Sequence, residues 1–190
     1  LGQYRRALAD TVARKRLNNV AVLTVTDENG YGGLGSRSLL RAWQAIVLAD
    51  LFEDMRNMLS VTAQDVTRGQ EELDRAWSDV IAYFEGRLSM RLSVFLRLTA
   101  ARLRRIPLAR DPATVPTVAL IGEYYVRKEE FSRRNLLAYL QKHGMMVRVA
   151  PAMEYLCYSN YNINSGLQEG TFSNVQRVMF KARAAVQTDR

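Results

Sequence analysis

The chain has 190 residues, of which 48% are hydrophobic and 24% charged, and its formal net charge is +8 at pH 7. A chain of this length supports one domain, or one core with a helical appendage, and leaves no room for two full domains. Its composition is that of a soluble globular protein, and no segment approaches the run of about 18 apolar residues that a membrane span requires, so we expect no transmembrane helix.

Helical patterns dominate the first part of the chain. They predict helices over residues 4–17, 36–58, 70–84 and 88–103. The second of these helices has a broad apolar stripe, formed by Leu39, Leu40, Trp43, Ile46, Val47, Leu51 and Phe52. A β-branched run over residues 20–25 predicts a strand, which leads into a glycine-rich loop over residues 27–36.

The second part of the chain has the pattern of a βαβ unit. A proline-rich linker over residues 106–116 precedes it, so we divide the chain into a strand plus helical region, 1–111, and an α/β unit, 112–190; one compact domain is the alternative. Apolar runs predict strands over residues 118–121 and 147–150, with a helix between them that ends at Gly144. Strands in this order pair in parallel, which predicts an α/β fold. Further helices are predicted over residues 153–162 and 171–186.

Residues 30–35 match the pattern G-x-G-x-x-G between a predicted strand and a predicted helix. In a dinucleotide-binding fold, a second strand would end in an acidic residue about 20 positions later. Here the acidic residues Asp50, Glu53 and Asp54 continue a helical pattern. A glycine-rich turn before a long helix is therefore the better interpretation, and a dinucleotide-dependent oxidoreductase stays the third hypothesis.

The chain contains one cysteine, Cys157, and one histidine, His143. This excludes an internal disulfide framework, and soft ligands are too few for a four-ligand structural zinc site. We expect a cytoplasmic protein with a buried, inert thiol at Cys157 and a structural role for His143 at a helix end. The chain begins at Leu1 without a leader pattern, and we expect it to be a piece of a longer polypeptide.

The most promising site follows the first strand of the βαβ unit, because open α/β sheets bind ligands and partners at the carboxyl ends of their strands. We identify Glu123, Tyr125, Arg127 and Asn135 as candidate ligand-binding or partner-binding residues. Glu123 would accept hydrogen bonds and Arg127 would pair with a carboxylate or phosphate. The alternative is structural: Glu123 caps the following helix and the tyrosines pack against the protein. On the binding hypothesis, Arg127→Ala weakens binding without unfolding the domain.

Residues 118–127, together with Phe131, Ser132, Asn135 and the following Leu-x-x-x-Gly-x-x-Val pattern, resemble the 2-hydroxyacyl-CoA dehydratase family. The similarity is to the dehydratase-like portion of the large CoA-substrate-specific enzyme activases. Residues 43–55 resemble the helix that precedes this unit in those proteins. The resemblance spans roughly residues 20–160 and rests on diffuse motifs.

The resemblance implies a flavodoxin-like or Rossmann-like sheet on which the helical region packs. It also implies a place in the reductive dehydration of 2-hydroxyacyl-CoA, in which an ATP-driven activator with a [4Fe-4S] cluster passes an electron to the dehydratase. This chain lacks the nucleotide motifs of the activator and the cluster cysteines of the dehydratase. We therefore expect a docking or acyl-CoA-side module without independent catalysis, with no cofactor or metal of its own. Its expected partners are dehydratase or activase subunits, other domains of the same polypeptide, and acyl-CoA.

A basic segment supports a different class of function. Arginines cluster where acidic residues are absent, at Arg87, Arg91, Arg97, Arg102, Arg104 and Arg105. Such a cluster attracts nucleic acid or another anionic surface, with an affinity that falls steeply with salt. The structural alternative is a solvated helix face that meets other parts of a larger protein.

Overall fold

The computed structural model describes residues 2–17, 19–20 and 35–165. Two compact units divide the chain, and the second of them is Arg41–Ser165. The boundary predicted near residue 112 lies inside this second unit. Apart from Val20 and Gly35, the predicted strand at 20–25 and the glycine motif at 30–35 lie outside the described residues, as does the helix predicted at 171–186.

The first unit contains the helix predicted near the start of the chain. This helix, α1, extends over Gly2–Arg14. It ends where Arg16 adopts a positive φ of 49°, a conformation that continues no right-handed helix. The prediction is confirmed, with an end three residues earlier than residue 17.

Three longer helices follow: α2 over Ser36–Thr62, α3 over Val66–Phe84 and α4 over Leu92–Leu103. The division between the two units falls within α2. α3 begins before the predicted residue 70 because the Asp65 carboxylate accepts a hydrogen bond from Arg68 N at 3.0 Å, a typical N-cap. α4 begins later than the predicted residue 88, because the backbone is still extended at Arg91, which precedes the first helical residue.

The core of the second unit lies among α2, α3 and α4. Leu73 and Ala76 of α3 are fully buried, and Val80 is 1% exposed. Two pairs of aromatic rings pack in this core. The ring centres of Phe52 and Trp77 are 5.1 Å apart, and those of the stacked Tyr83 and Phe95 are 4.9 Å apart. The remaining buried members of this core are Leu48, Leu59 and Ala63.

The apolar stripe predicted for α2 is correct at Leu39 and Phe52 but wrong at two positions. Val47 is 37% exposed and Leu51 is 52% exposed, while Leu48 between them is buried. Too many apolar residues surround this helix for their spacing to identify the buried face. Leu51 instead lines an open groove described below.

The predicted linker over residues 106–116 is attached to the end of α2. Ala109 N donates to Thr62 O at 2.8 Å, and Gln64 N donates to Pro107 O at 3.0 Å. Leu108 pairs with Ala63 in an isolated antiparallel bridge. These bonds tie the helical part of the second unit to the α/β part that follows it.

The α/β part contains one parallel pair of strands in the described residues, β1 over Thr117–Leu120 and β2 over Met146–Val149. Thr117 pairs with Met146 and Leu120 with Val149. Val147 and Val149 are 1% and 2% exposed, so β2 is anchored in the interior. The parallel βαβ unit predicted from the sequence is confirmed, as a small sheet in a mostly helical protein.

The crossover between the strands is not the single helix that leucine spacing predicts. It consists of three short helices, α5 over Tyr124–Lys128, α6 over Glu130–Arg133 and α7 over Leu136–Lys142. A new helix begins at α6 because the Glu129 carboxylate accepts a hydrogen bond from Ser132 N at 3.0 Å. Gly144, at a φ of +74°, follows α7 as predicted, and α8 extends over Ala152–Asn164 after β2.

Candidate functional site

The loop that leaves β1 is shaped by Gly122 and Glu123. Gly122 has a φ of +122°, which favours glycine. The Glu123 carboxylate accepts a hydrogen bond from Val126 N at 2.9 Å and thereby caps α5. Backbone hydrogen bonds from Val126 and Tyr125 hold the pKa of Glu123 below its usual value. Glu123 therefore has the capping role that the sequence left open beside ligand binding.

Arg127 is a buried connection between the ends of the two strands. Its side chain donates to Gly122 O at 3.1 Å, just after β1, and to Pro151 O at 3.4 Å, just after β2. A carboxylate oxygen of Glu154 lies 3.6 Å away, and the guanidinium stands 5.9 Å from the centre of the Tyr124 ring. The residue is 7% exposed. Because Arg127 is buried and joins both strand ends, we expect Arg127→Ala to destabilise the folded domain, contrary to the expectation from the sequence.

The other two candidate residues are accessible. Tyr125 is 63% exposed. Asn135 is exposed at the start of α7, and its side chain makes no capping hydrogen bond. Among the described residues, no hydrogen bond joins the side chain of Asn135 to Glu123, Tyr125 or Arg127. The structure thus groups Glu123, Tyr125 and Arg127 at the cap and within α5, and places Asn135 beyond α6, just before α7.

Several large apolar side chains are exposed between the end of β1 and α6. Phe131 is 87% exposed, Ile121 73%, Tyr125 63%, Val126 54% and Tyr124 47%. We call these five residues the strand-end surface. Single exposed apolar residues are ordinary, but a concentration of large ones in a short segment is typical of a binding surface. Sequence reasoning identified Tyr125 but missed Ile121, Val126 and Phe131, because apolar side chains are expected to be buried and their spacing gives no sign of exposure.

A cluster of charged residues anchors the crossover to α2. Lys128 Nζ lies 3.0 Å from Asp50 Oδ1 and also contacts Glu53, and Arg133 Nη1 lies 3.0 Å from the other Glu53 oxygen. All four side chains are less than a quarter exposed. Asp50 and Glu53 of α2 are thus engaged with the crossover, which agrees with their helical pattern.

Asp50 also connects α2 to the last described helix. Its carboxylate accepts hydrogen bonds from Ala152 N at 3.0 Å and Met153 N at 3.2 Å. These are the first two residues of α8, so Asp50 caps that helix from a distant part of the chain. One carboxylate therefore holds α2, the crossover and α8 together.

The charged cluster predicts a loss of stability at high pH. Burial alone would lower the pKa of Lys128, but the hydrogen bonds and charges of Glu53 and Asp50 outweigh it and raise that pKa. A raised pKa in the folded state stabilises the protein fully below the unfolded-state value of about 10.4, and this contribution is lost as the pH rises through the folded-state value. We expect the free energy of unfolding to fall more steeply above about pH 10.4 for the wild type than for Lys128→Gln.

Denaturant unfolding between about pH 9 and about pH 12 measures this slope. The exposed Lys142, at the end of α7, gives the matched control Lys142→Gln. The control should keep the wild-type slope. Equal slopes for Lys128→Gln and the wild type would contradict the assignment.

The basic segment is only partly free to bind anions. Arg102 pairs with Glu72 and with Asp79, whose carboxylate oxygen lies 2.7 Å from its guanidinium, and Arg87 contacts Glu85. The other four arginines are exposed and make no ion pair within residues 35–165, namely Arg91, Arg97, Arg104 and Arg105.

The prediction from the sequence is correct for His143 and wrong for Cys157. His143 ends α7, and its Nδ1 lies 2.8 Å from Tyr139 O, in agreement with the structural role expected. Cys157 is exposed, so the prediction of a buried thiol is wrong. Its aromatic neighbours suggested burial, but the adjacent Tyr158 is itself 62% exposed.

The described residues contain neither a membrane-spanning helix nor a cluster of metal-ligand side chains. No helix within residues 2–17 and 35–165 is both long and apolar enough to cross a bilayer. In the same part of the chain, no three histidine, cysteine, aspartate or glutamate side chains come together as a group of metal ligands.

Comparison with known proteins leaves the family open. The chain matches no protein-family model, no curated protein and no solved structure. The resemblance to the dehydratase family therefore stays a prediction from the motif at residues 118–127.

Proposed function

We propose that this chain is a dehydratase-like domain of a protein related to the CoA-substrate-specific enzyme activases, and that it acts as a docking module for dehydratase or activase subunits. The flavodoxin-like or Rossmann-like sheet of that family is part of the proposal. Two features support it: the parallel βαβ unit, and the position of the Gly-Glu-Tyr-Tyr-Val-Arg motif at the carboxyl end of its first strand.

The strand-end surface is the observation that carries the docking function. Its five side chains are between 47% and 87% exposed, and two of them are tyrosines and one is a phenylalanine. Aromatic residues are enriched at protein interfaces and often dominate their binding energy. The buried Arg127 donates to Gly122 O and Pro151 O and so holds α5 at the strand ends, which lowers the entropy that α5 loses when a partner binds it.

In this proposal the redox chemistry belongs to the partners. A [4Fe-4S] cluster requires about four cysteine ligands, and this sequence supplies Cys157 alone. The residues present therefore do not fit such a cluster, and we assign this chain no catalytic step. Acyl-CoA is a further candidate ligand at the carboxyl ends of the strands.

The decisive variant is Phe131→Ser, because Phe131 is the most exposed member of the strand-end surface. Its side chain contributes little to the folded state, so we expect unchanged stability. Affinity for purified dehydratase and activase subunits should fall about 30-fold, the effect of losing one interface hot spot. Isothermal titration of the 190-residue chain measures this affinity.

Leu98→Ser provides the control, since Leu98 is 59% exposed but lies on α4. It should bind the subunits as the wild type does. The docking proposal fails if the wild type does not bind them, or if both variants bind equally well. Titration with acyl-CoA in the same experiment separates a substrate-side role from a docking role.

The four exposed arginines favour a second candidate function, a module that binds nucleic acid or another anionic surface. Affinity for such a polyanion would fall by orders of magnitude as salt is raised, because counterions are released on binding. Titration with duplex DNA, single-stranded RNA and anionic vesicles at low and high salt tests it. Binding that is absent at low salt removes this candidate.

A further inference from the structure

An open apolar groove lies among α2, α3, α4 and the chain that follows α4. Its volume is about 610 Å³, within the usual range for small-molecule sites. Four side chains of the groove are buried: Leu73 fully, Leu59 at 3% exposure, Leu48 at 6% and Phe52 at 7%. The rest of the apolar lining includes Leu51, Met55, Met58, Ala100 and Leu108.

Several lining residues are left in contact with water. Leu51 is 52% exposed and Leu108 is 42% exposed. Burial of such side chains would be favourable by about 25 cal/mol for each Å² covered. Met55 and Met58 add flexible, polarisable side chains that adapt to the shape of an apolar ligand. The groove thus suits a flexible hydrocarbon chain.

The polar residues of the lining indicate the charge of the ligand. They are Asp54, Thr99 and Arg104. The Thr99 hydroxyl donates to Phe95 O at 3.0 Å, and the Asp54 carboxylate lies 3.6 Å from Arg148 Nε. Arg104 is exposed and pairs with no carboxylate within residues 35–165. Among the residues that the structure describes, the groove therefore has one cation that no carboxylate pairs with, Arg104, beside an apolar surface.

We propose that this groove binds one amphipathic small molecule, with an unbranched hydrocarbon chain in the apolar lining and a carboxylate head paired with Arg104. The charge complementarity of Arg104 selects an anionic head, and the lining selects an apolar tail. This site is separate from the strand-end surface and does not depend on the proposed docking function.

Titration calorimetry of the 190-residue chain with dodecanoate, kept below its micelle concentration, tests the proposal. We expect saturable binding of one dodecanoate per chain. Dodecyltrimethylammonium carries the same hydrocarbon chain with a cationic head, and it should bind more weakly. Equal binding of the two amphiphiles would overturn the assignment of the head to Arg104. Binding to anionic vesicles or to an amphipathic helical peptide, with none to dodecanoate, would overturn the proposal.

Two neighbouring alanines of α4 provide a matched pair of variants. Ala100 lines the groove and Ala101 does not, and both are exposed. Ala100→Trp places an indole in the groove, so dodecanoate binding should be lost while the protein stays folded. Ala101→Trp should bind as the wild type does. The proposal is wrong if Ala100→Trp, shown to be folded by its circular dichroism, binds as tightly as Ala101→Trp.

Two neighbouring arginines test the head group in the same way. Arg104 lines the groove and Arg105, the next residue, does not. Arg104→Gln should weaken dodecanoate binding about fivefold, the effect of one exposed ion pair, and should remove the preference over the cationic amphiphile. Arg105→Gln should retain both the affinity and the preference. Equal losses in the two variants would show a diffuse attraction rather than a specific pair.

Discussion

Arg127→Ala is expected to lower the free energy of unfolding by about 3 kcal/mol. The substitution removes the donors that connect Gly122 O and Pro151 O, and with them the link between the ends of β1 and β2. Arg127 Nε is buried without a hydrogen-bond partner among the described residues, which places the effect at the lower end of the range for buried charged groups. Thermal unfolding should show a Tm about 9 °C lower.

Arg148→Ala is the matched control for this result. Arg148 lies on β2 and faces Asp54 at 3.6 Å, but its side chain is 70% exposed. Removal of a surface pair of this kind costs about 0.5 kcal/mol. Arg127→Lys, which keeps the charge but not the planar fork of donors, should fall between the two alanine variants. If Arg127→Ala and Arg148→Ala unfold at the same temperature, Arg127 does not brace the strand ends.

Asp50→Ala should cost about 3 kcal/mol as well, through a different set of contacts. The carboxylate is 12% exposed and accepts hydrogen bonds from Lys128 Nζ, Ala152 N and Met153 N. Its removal leaves the start of α8 without a cap and Lys128 with Glu53 as its remaining carboxylate partner. Denaturant unfolding measures the loss, and far-ultraviolet circular dichroism should show some loss of helix before the main transition.

Asp74→Ala provides the comparison, since Asp74 also pairs with an arginine, Arg56, but is 59% exposed. We expect it to cost about 0.5 kcal/mol. Asp50→Asn retains an acceptor oxygen for α8 but not the charge opposite Lys128, so its cost should lie near half that of Asp50→Ala. A cost for Asp50→Ala no larger than for Asp74→Ala would contradict the role of Asp50 as a connection between three elements.

Local patterns in the sequence predicted the three long helices and the two strands of the second unit. The apolar runs over residues 118–121 and 147–150 and the glycine after the crossover predicted a parallel βαβ unit, which the structure contains. The breaks in the crossover were missed because leucine spacing describes α7 alone. Glu123 and Glu129, each three residues before the amide that its carboxylate accepts from, carried a capping signal that would have divided the segment.

The contacts of the site were less predictable than its location. Arg127 had the chemistry of a binding residue, and its burial depends on Pro151 O, which belongs to the loop after the other strand. Lys128 lies 78 residues along the chain from Asp50, so no local pattern indicates that the two side chains meet. The exposure of Leu51 depends on the position of α4 beside α2, which apolar spacing does not specify.

Because the crossover helices are short, their stability depends on the contacts that they make, including contacts with a binding partner. α5, α6 and α7 have five, four and seven residues, and isolated helices shorter than about 12 residues are marginal in water. Their folding therefore depends on tethers such as Arg127 and Lys128, and the segment is a natural unit of local opening. A partner that binds only when the crossover is folded, at a concentration of about 100 times its Kd, would stabilise the folded crossover by about 2.7 kcal/mol. Amide hydrogen exchange in the crossover should slow accordingly, even at amides that the partner does not cover.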